Sequence, residues 1–353
     1  MFQSLTIKNI KKETSSSVSI EFNVPPENLN NYSFKAGQFL TLKADINGED
    51  VRRSYSICSS PISGELKVVV KQIPNGKFSI YANTQLKIGD TIEVAKPSGT
   101  FFLDPKTDNN KKYVLIAAGS GITPIISILK TVLSEEPSSS VDLFYGNKNQ
   151  VQTIFKSELE SLRNNYEGRF KLNFIFSEEK GESRFHTGRI EGRKIKKLFK
   201  KESPIANVNE IFMCGPQQMT ENVKEILIKK FNFPKNQIHF ELFTATASTL
   251  VQATSTKKPG AGKSIVSATI EGQDVEFPIN KNEYILEAGL RSGNDIPFSC
   301  QGGVCGACKC IIISGNTEMD MNLALSDDEV DSGYSLACQT KVSSEKVKVS
   351  FDF

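Results

Sequence analysis

Several features are missing from the 353-residue sequence, and each absence removes a class of protein. No stretch of about eighteen consecutive apolar residues occurs, so no membrane-spanning helix and no stable membrane insertion is expected. The first residues, MFQSLTIKNIKKE, alternate as a strand does and lack the apolar centre of a secretory leader. Lysine and arginine are dispersed, with no basic tract and no basic patch interleaved with aromatics, so nucleic acid is not expected as a partner. No segment repeats at a fixed period, which sets repeat architectures aside. The seven cysteines form no disulfide framework: Cys58, Cys214 and Cys310 are scattered, and the rest gather near the C-terminal end. That usage fits a reducing, cytoplasmic location.

What is present is most specific in that last group. Cys300-Gln-Gly-Gly-Val-Cys305-Gly-Ala-Cys308, answered by Cys338, reads C-x4-C-x2-C-x29-C. This is the plant-type ligand spacing for a [2Fe–2S] cluster. Three thiolates on one tight loop can wrap two irons, and a fourth from a distant segment closes the cage. The small residues Gly302, Gly303, Gly306 and Ala307 let backbone N–H groups approach sulfur and stabilise its negative charge. The alternative is structural zinc, but zinc loops usually pair ligands as C-x2-C, and the leading x4 gap is unusual for them. Cys310, at the start of the apolar run Ile311–Ile313, reads as a packed core thiol.

A chain of this length holds two to three domains. Its net charge of +3 hides an asymmetry: Ser264 to Phe353 carries fourteen acidic and six basic side chains, net −8, leaving +11 for the residues before it. A basic body with an acidic C-terminal region fits electrostatic docking between redox partners.

Residues 1–105 read as an antiparallel β-barrel without helices. Val18–Phe22, Leu66–Val70 and Thr91–Val94 alternate, and turn signals such as Pro74-Asn75-Gly76 separate the runs. Within it lie Arg53-Ser54-Tyr55-Ser56 and Gly76-Lys77-Phe78-Ser79. Arg53 and the backbone around Ser79 could hold a pyrophosphate, and Tyr55 could lie against a planar ring; the same residues also suit an ordinary strand.

From residue 106 to 246 the pattern becomes α/β. Tyr113–Ala118 is a short continuous apolar strand of the kind buried on both faces of a parallel sheet. Gly119-Ser120-Gly121-Ile122-Thr123-Pro124 follows, with Thr123 expected as the N-cap and Pro124 at the first helical position. Ile125, Ile128, Leu129, Val132 and Leu133 then form one helical face. A glycine turn feeding a helix N-terminus after a buried strand is a phosphate cradle, although a plain strand-to-helix turn has the same pattern. Further strands near Val141–Tyr145, Leu172–Phe176, Glu210–Met213 and Ile238–Phe243 make a doubly wound sheet. Cys214-Gly215-Pro216 ends one of them, where such sheets bind ligands, so Cys214 faces the dinucleotide or is simply a buried thiol. Glu241-Leu242-Phe243 places a carboxylate and an aromatic where they could meet a flavin; Phe243 as core is the competing reading.

Residues 247–263 are rich in Ser, Thr, Lys, Gly and Pro and read as a flexible linker. Residues 264–353 open with two alternating strands and a helix near Glu283–Arg291 that leads into the cysteine loop. Ser326-Asp327-Asp328-Glu329 is a capping-box signature for a short helix before Cys338.

Arg53-Ser54-Tyr55-Ser56, Ala117–Pro124, Tyr145-Gly146-Asn147, Cys214-Gly215-Pro216, Gly302-Gly303-Val304-Cys305, Lys309-Cys310 and Gly333-Tyr334 stand in one order. In that order the chain resembles ferredoxin–NADP⁺ reductase-type flavoproteins with a C-terminal plant-type ferredoxin domain. The resemblance implies a flavin barrel, a doubly wound α/β nucleotide domain and a β-grasp-type α+β ferredoxin domain. It implies FAD held by Arg53, Tyr55, Ser56, Gly76 and Ser79, with Ser54, Lys77 and Phe78 in the same two motifs and Ser56 near the reactive flavin nitrogen. Some ferredoxin-fused relatives hold FMN. It implies dinucleotide binding by Gly119, Ser120, Gly121, Thr123, Pro124, Cys214 and Gly215, with Phe243 close to the flavin face. Ser56, Cys214 and Phe243 are then the residues around hydride transfer.

Many NADP-selective relatives place Ser-Arg after the third strand, whereas Ser177 here precedes Glu178. The 2′-phosphate of NADPH would need Arg184, Lys180, Lys148 or Arg189 instead, and NADH stays open as the coenzyme. The implied activity is NAD(P)H-driven electron transfer through flavin and [2Fe–2S] cluster to an oxygenase component or another redox acceptor protein. Alternative acceptors are another oxygenase, a hydroxylase or a fatty-acid desaturase. An electron-carrier or zinc-binding module without reductase activity is the reading from a different class, and the intact motifs oppose it.

Overall fold

A computed structural model describes residues 2–243 and 264–353. The expected linker at 247–263 falls outside the described residues. By packing, residues 2–51 and 55–243 form one unit, and residues 264–353, grouped with 52–54, the other.

The first unit begins with β1 (Phe2–Thr14), β2 (Ser17–Asn23), β3 (Phe39–Ile46), β4 (Glu49–Ser56), β5 (Leu66–Lys71), α1 (Lys77–Thr84) and β6 (Thr91–Ala95). The strands run in the order β4-β3-β6-β1-β2-β5, and an Ile57–Val68 bridge joins the two edges into a barrel. Period-2 alternation sends Leu5, Ile7, Val18, Ile20, Leu42, Val68, Val70 and Val94 to its interior. One expectation fails here: Lys77–Thr84 is helical, and Phe78 and Ala82 from it plug the barrel core.

A parallel sheet follows, with β7 (Lys112–Ala118), α2 (Ile122–Glu135), β8 (Ser140–Asn147), α3 (Lys156–Asn165), β9 (Phe170–Phe176), α4 (Gly192–Lys197), β10 (Glu210–Gly215), α5 (Gln217–Phe231) and β11 (Ile238–Leu242). Its order is β11-β10-β7-β8-β9. Strand β7 shows why a continuous apolar run is needed. Tyr113, Leu115 and Ala117 pack on the α2 side, while Val114 and Ile116 pack on the α5 side. Each fully buried isoleucine or leucine of α2 is worth about 1.5–3 kcal/mol of transfer free energy. Barrel residues Ala36, Cys58, Val69, Phe101 and Leu103 join the α2-side core, which makes barrel and sheet one unit. Helix α2 starts earlier than expected: a 3₁₀ turn over Gly119–Gly121 makes Gly121 the N-cap, and Thr123 and Pro124 lie inside the helix. The Thr123 hydroxyl donates to the Ser120 carbonyl at 3.1 Å and does not cap the helix.

The second unit holds β12 (Ser264–Ile270), β13 (Gln273–Ile279), α6 (Ile285–Arg291), β14 (Lys309–Ser314), β15 (Thr317–Met319), α7 (Asp327–Asp331), β16 (Tyr334–Leu336), β17 (Thr340–Val342) and β18 (Lys346–Ser350). Its mixed sheet, β13-β12-β18-β14-β16, packs Val266, Phe277, Val347 and Val349 against Ile285 and Leu286 of α6. The expected capping box on α7 is present: Glu329 N–H donates to Ser326 Oγ at 3.2 Å, and Ser326 N–H to Glu329 Oε2 at 2.9 Å.

Candidate active site and metal centre

In the first unit, Ser56 at the end of β4 is buried, and its hydroxyl donates to Glu241 Oε2 at 3.2 Å. Glu241 sits on β11 opposite Cys214 in the parallel ladder. Part of Glu241 stays accessible, yet its carboxyl is enclosed by protein, and that desolvation pushes it up to about 8 against the Ser56 hydrogen bond. Cys214 is fully buried, and burial first, then the Glu241 charge, hold its thiol well above the ordinary range. A protonated thiol is no nucleophile. Phe243, just past β11, keeps 37% of its surface exposed and is not a core residue.

Around α1, Ser79 is spent on its own turn. Its hydroxyl donates to the Gly76 carbonyl at 3.1 Å and accepts from Ile73 N–H at 3.2 Å. A Cβ on Gly76 would come within 2.4 Å of Ser79 Oγ, so the turn requires glycine. The N–H groups that open α1 have no partner inside the helix, which is what a pyrophosphate needs. Phe78 packs its ring in the barrel core, 5.5 Å from the Tyr55 ring, and Lys77 pairs with Glu49. The Phe78 ring is therefore not available to a cofactor, whereas Lys77 is exposed. Arg53 is exposed on β4, and its guanidinium donates to the Arg52 carbonyl at 2.6 Å; Ser54 and Tyr55 are half-buried.

The glycine turn meets β10 closely. A Cβ on Gly121 would lie 2.2 Å from the Cys214 carbonyl oxygen, and one on Gly215 would lie 3.2 Å from Ala118 Cβ. Gly119 holds φ +55, and Lys71 Nζ at the end of β5 approaches its Cβ position to 3.7 Å. Lys71 is half-buried, and desolvation first, then the Lys148 charge, lower its ammonium pKa. A cation beside the glycine turn is a feature that the sequence reading missed. At the far side of the sheet, Ser177 and Arg184 are exposed, and Lys148 is paired with Glu178 at 3.3 Å.

In the second unit, Cys300 and Cys305 interact side by side, and Cys308 and Cys338 do the same. Within each pair the shared hydrogen bond draws one thiol down, Cys300 and Cys338, and the other up. Backbone N–H groups of Gly302 and Cys305 point at Cys300 Sγ, both at 3.4 Å, and that of Ala307 at Cys305 Sγ, at 3.5 Å. Among the described residues, no three His, Cys, Asp or Glu side chains converge as a single metal ion would require. Two sulfur pairs, the first with N–H groups aimed at it, fit two irons sharing one cage. Cys310 is fully buried, and desolvation raises its thiol to about 12, as suits a core thiol.

Residues 4–103 match the family described as an oxidoreductase FAD-binding domain, residues 115–225 an oxidoreductase NAD-binding domain, and residues 268–343 a 2Fe-2S iron-sulfur cluster binding domain. The chain is 39% identical over 352 residues to a subunit of the 1,2-phenylacetyl-CoA epoxidase of Escherichia coli (strain K12), covering 99% of this chain and 98% of that one. It belongs to the ferredoxin–NADP⁺ reductase-type flavoproteins with a C-terminal ferredoxin domain. The ferredoxin reductase component of 3-ketosteroid-9-alpha-monooxygenase from Rhodococcus rhodochrous is 30% identical to this flavoprotein, over 98% of this chain and 96% of its own. Among solved structures, phthalate dioxygenase reductase superposes with a TM-score of 0.60 at 26% identity, covering 99% and 98% of the two chains.

This flavoprotein is thus an oxidoreductase with FAD-, NAD- and [2Fe–2S]-binding domains, of the kind that serves as the reductase component of oxygenase systems. No described helix is long and apolar enough to cross a membrane.

Proposed function

We propose that this chain is the reductase of a phenylacetyl-CoA epoxidase, taking electrons from NADPH. The likeness to the Escherichia coli epoxidase protein over 99% of the chain carries the acceptor assignment. The relative from a 3-ketosteroid monooxygenase, similar at lower identity, keeps a different oxygenase as the second reading.

The proposed domains are residues 1–105, 106–246 and 264–353, with 247–263 as the linker. When bound, these groups would supply two-electron chemistry between dinucleotide and flavin and one-electron transfer at the cluster. The residues of the chain supply alignment and charge. Arg53 and the free N–H groups of α1 hold the flavin pyrophosphate, and Tyr55 covers one face of the ring. Phe243, exposed at the end of β11, would lie close to the flavin face. Gly119–Thr123 and Lys71 hold the dinucleotide phosphates, and Gly121 and Gly215 keep the turn close enough to β10 for Cys214 to border the nicotinamide. Ser56 Oγ and Glu241 form a hydrogen-bonded pair that can hold a proton beside the flavin, since burial keeps the Glu241 carboxyl protonated up to about pH 8. Arg184, Lys180, Lys148 and Arg189, with Ser177, are the candidates for the 2′-phosphate, Lys148 being paired with Glu178 in the structure.

Cys300 with Cys305, and Cys308 with Cys338, are the proposed thiolate pairs; the N–H groups of Gly302, Cys305 and Ala307 offset the charge of the first. A cytoplasmic location belongs with this reading. The test is reconstitution: purified chain, epoxidase oxygenase subunits, oxygen and phenylacetyl-CoA, with substrate loss followed using NADPH and then NADH. Faster turnover with NADPH is expected. Reduction of flavin and cluster without substrate loss would overturn the acceptor.

A further inference from the structure

Strand β8 ends in Tyr145-Gly146-Asn147 beside the glycine turn. Gly146 pairs with Ala118 in the parallel ladder, so Asn147 stands level with Gly119. On its other side Asn147 pairs with Phe176, and its carbonyl accepts from Ser177 N–H at 2.9 Å. The end of β8 therefore lies between the turn that would hold the phosphates and the strand end proposed for the 2′-phosphate.

Alternation puts the Tyr145 and Asn147 side chains on one face of the sheet. Tyr145 is fully buried, and its hydroxyl donates to the Gly119 carbonyl at 3.0 Å, fixing the turn where Gly119 takes its positive φ. Asn147 is only 8% exposed, and its Nδ2 is buried yet meets no acceptor of the protein. The amide lies beside the Tyr145 hydroxyl, whose oxygen could still accept while its proton serves Gly119, but no bond of acceptable geometry joins the two. Buried N–H donors are almost always satisfied, because an orphan forfeits its hydration for nothing. A donor at the carboxyl edge of a doubly wound sheet, level with a glycine turn, is placed for a ligand.

We propose that Asn147 is a dinucleotide contact, its Nδ2 donating to an oxygen of the pyrophosphate or adjoining ribose of the nicotinamide dinucleotide. The inference rests on Gly119–Thr123 being the dinucleotide cradle. It assigns the third residue of Tyr145-Gly146-Asn147 a binding role and leaves Tyr145 the role of holding the turn.

The test uses the flavin-loaded full chain, titrated with oxidised NADP⁺ and NAD⁺ while the flavin difference spectrum is followed. Asn147→Ala and Asn147→Asp, neither able to donate, are expected to raise the Kd at least about tenfold, the loss of one hydrogen bond to a charged or hydroxyl oxygen. Ferricyanide reduction extrapolated to saturating NADPH is expected to change less than about twofold, as a binding contact requires. The Tm of Asn147→Ala is expected to equal or exceed that of the wild type, because the unsatisfied donor is gone. Unchanged Kd values with a lowered Tm would overturn the proposal and make Asn147 a structural residue. A wild-type chain whose flavin spectrum ignores both dinucleotides would overturn the cradle reading and the inference with it.

Discussion

The hydrogen bond from Ser56 to Glu241 spans 185 residues of sequence, and its consequences for pH follow from burial. An ordinary glutamate titrates near 4.5, but Glu241 in the folded chain titrates at about 8. Between those values the folded state keeps a proton that the unfolded state releases. Stability therefore falls as pH rises across that window and levels off above it. Urea unfolding of flavin-free protein at pH 5.5 and 8.5 checks this: the wild type should lose stability between the two, and Glu241→Gln should lose less. Equal losses would remove Glu241 as the cause. At the same scale, Lys71→Ala should raise the KM for NADPH about tenfold with a smaller change in kcat, the cost of one charged hydrogen bond to phosphate. Steady-state kinetics decide it, and an unchanged KM would take Lys71 out of the cradle. Lys71 did not stand out in the sequence, and Glu241 did so only as a carboxylate that could meet a flavin. Lys71 ends a strand where any solvated lysine would, and Glu241 gains its meaning only from the fold that brings Ser56 and Cys214 to it. The cysteine pattern was legible because its spacing alone encodes the chemistry.

Among the elements, the 3₁₀ turn before α2 decides most. Gly121 lies so close to the Cys214 carbonyl that a methyl group cannot fit without moving the backbone of β7 or β10. Gly121→Ala should cost about 1–3 kcal/mol of stability. It should also slow dinucleotide-driven flavin reduction while photochemical reduction of the flavin proceeds as before; stopped-flow absorbance separates the two. The sequence marked this turn but misplaced the cap, since Thr-Pro is a common helix start and the tight turn that precedes it leaves no periodic trace. Helix α1 was missed for a related reason. Lys77–Thr84 is short, with Phe78, Ile80, Tyr81 and Thr84 as suited to a strand as to a helix, and only its burial in the barrel settles the matter. The buried parallel strands were the opposite case: continuous apolar runs bounded by turns leave little choice.

Across the whole molecule, charge is divided between a basic body and an acidic ferredoxin region of net −8. Cytochrome c, a basic acceptor, should therefore be reduced more slowly as ionic strength rises from about 50 to 300 mM, because screening shortens the reach of the attraction. Ferricyanide, a small anion, should not show that loss. A cytochrome c rate independent of salt would mean that the acidic region does not guide docking. The three domain types could be read in advance because each carries a local signature, whereas the sharing of one core by barrel and sheet could not, since it depends on Ala36, Cys58 and Phe101, which no motif marks.

The order of electron flow is tested most directly by Cys338→Ser. With one thiolate of the Cys308–Cys338 pair removed, NADPH-driven reduction of cytochrome c should be abolished, while ferricyanide reduction, drawn from the flavin, stays largely intact. Equal loss of both activities would contradict a path in which the flavin precedes the cluster.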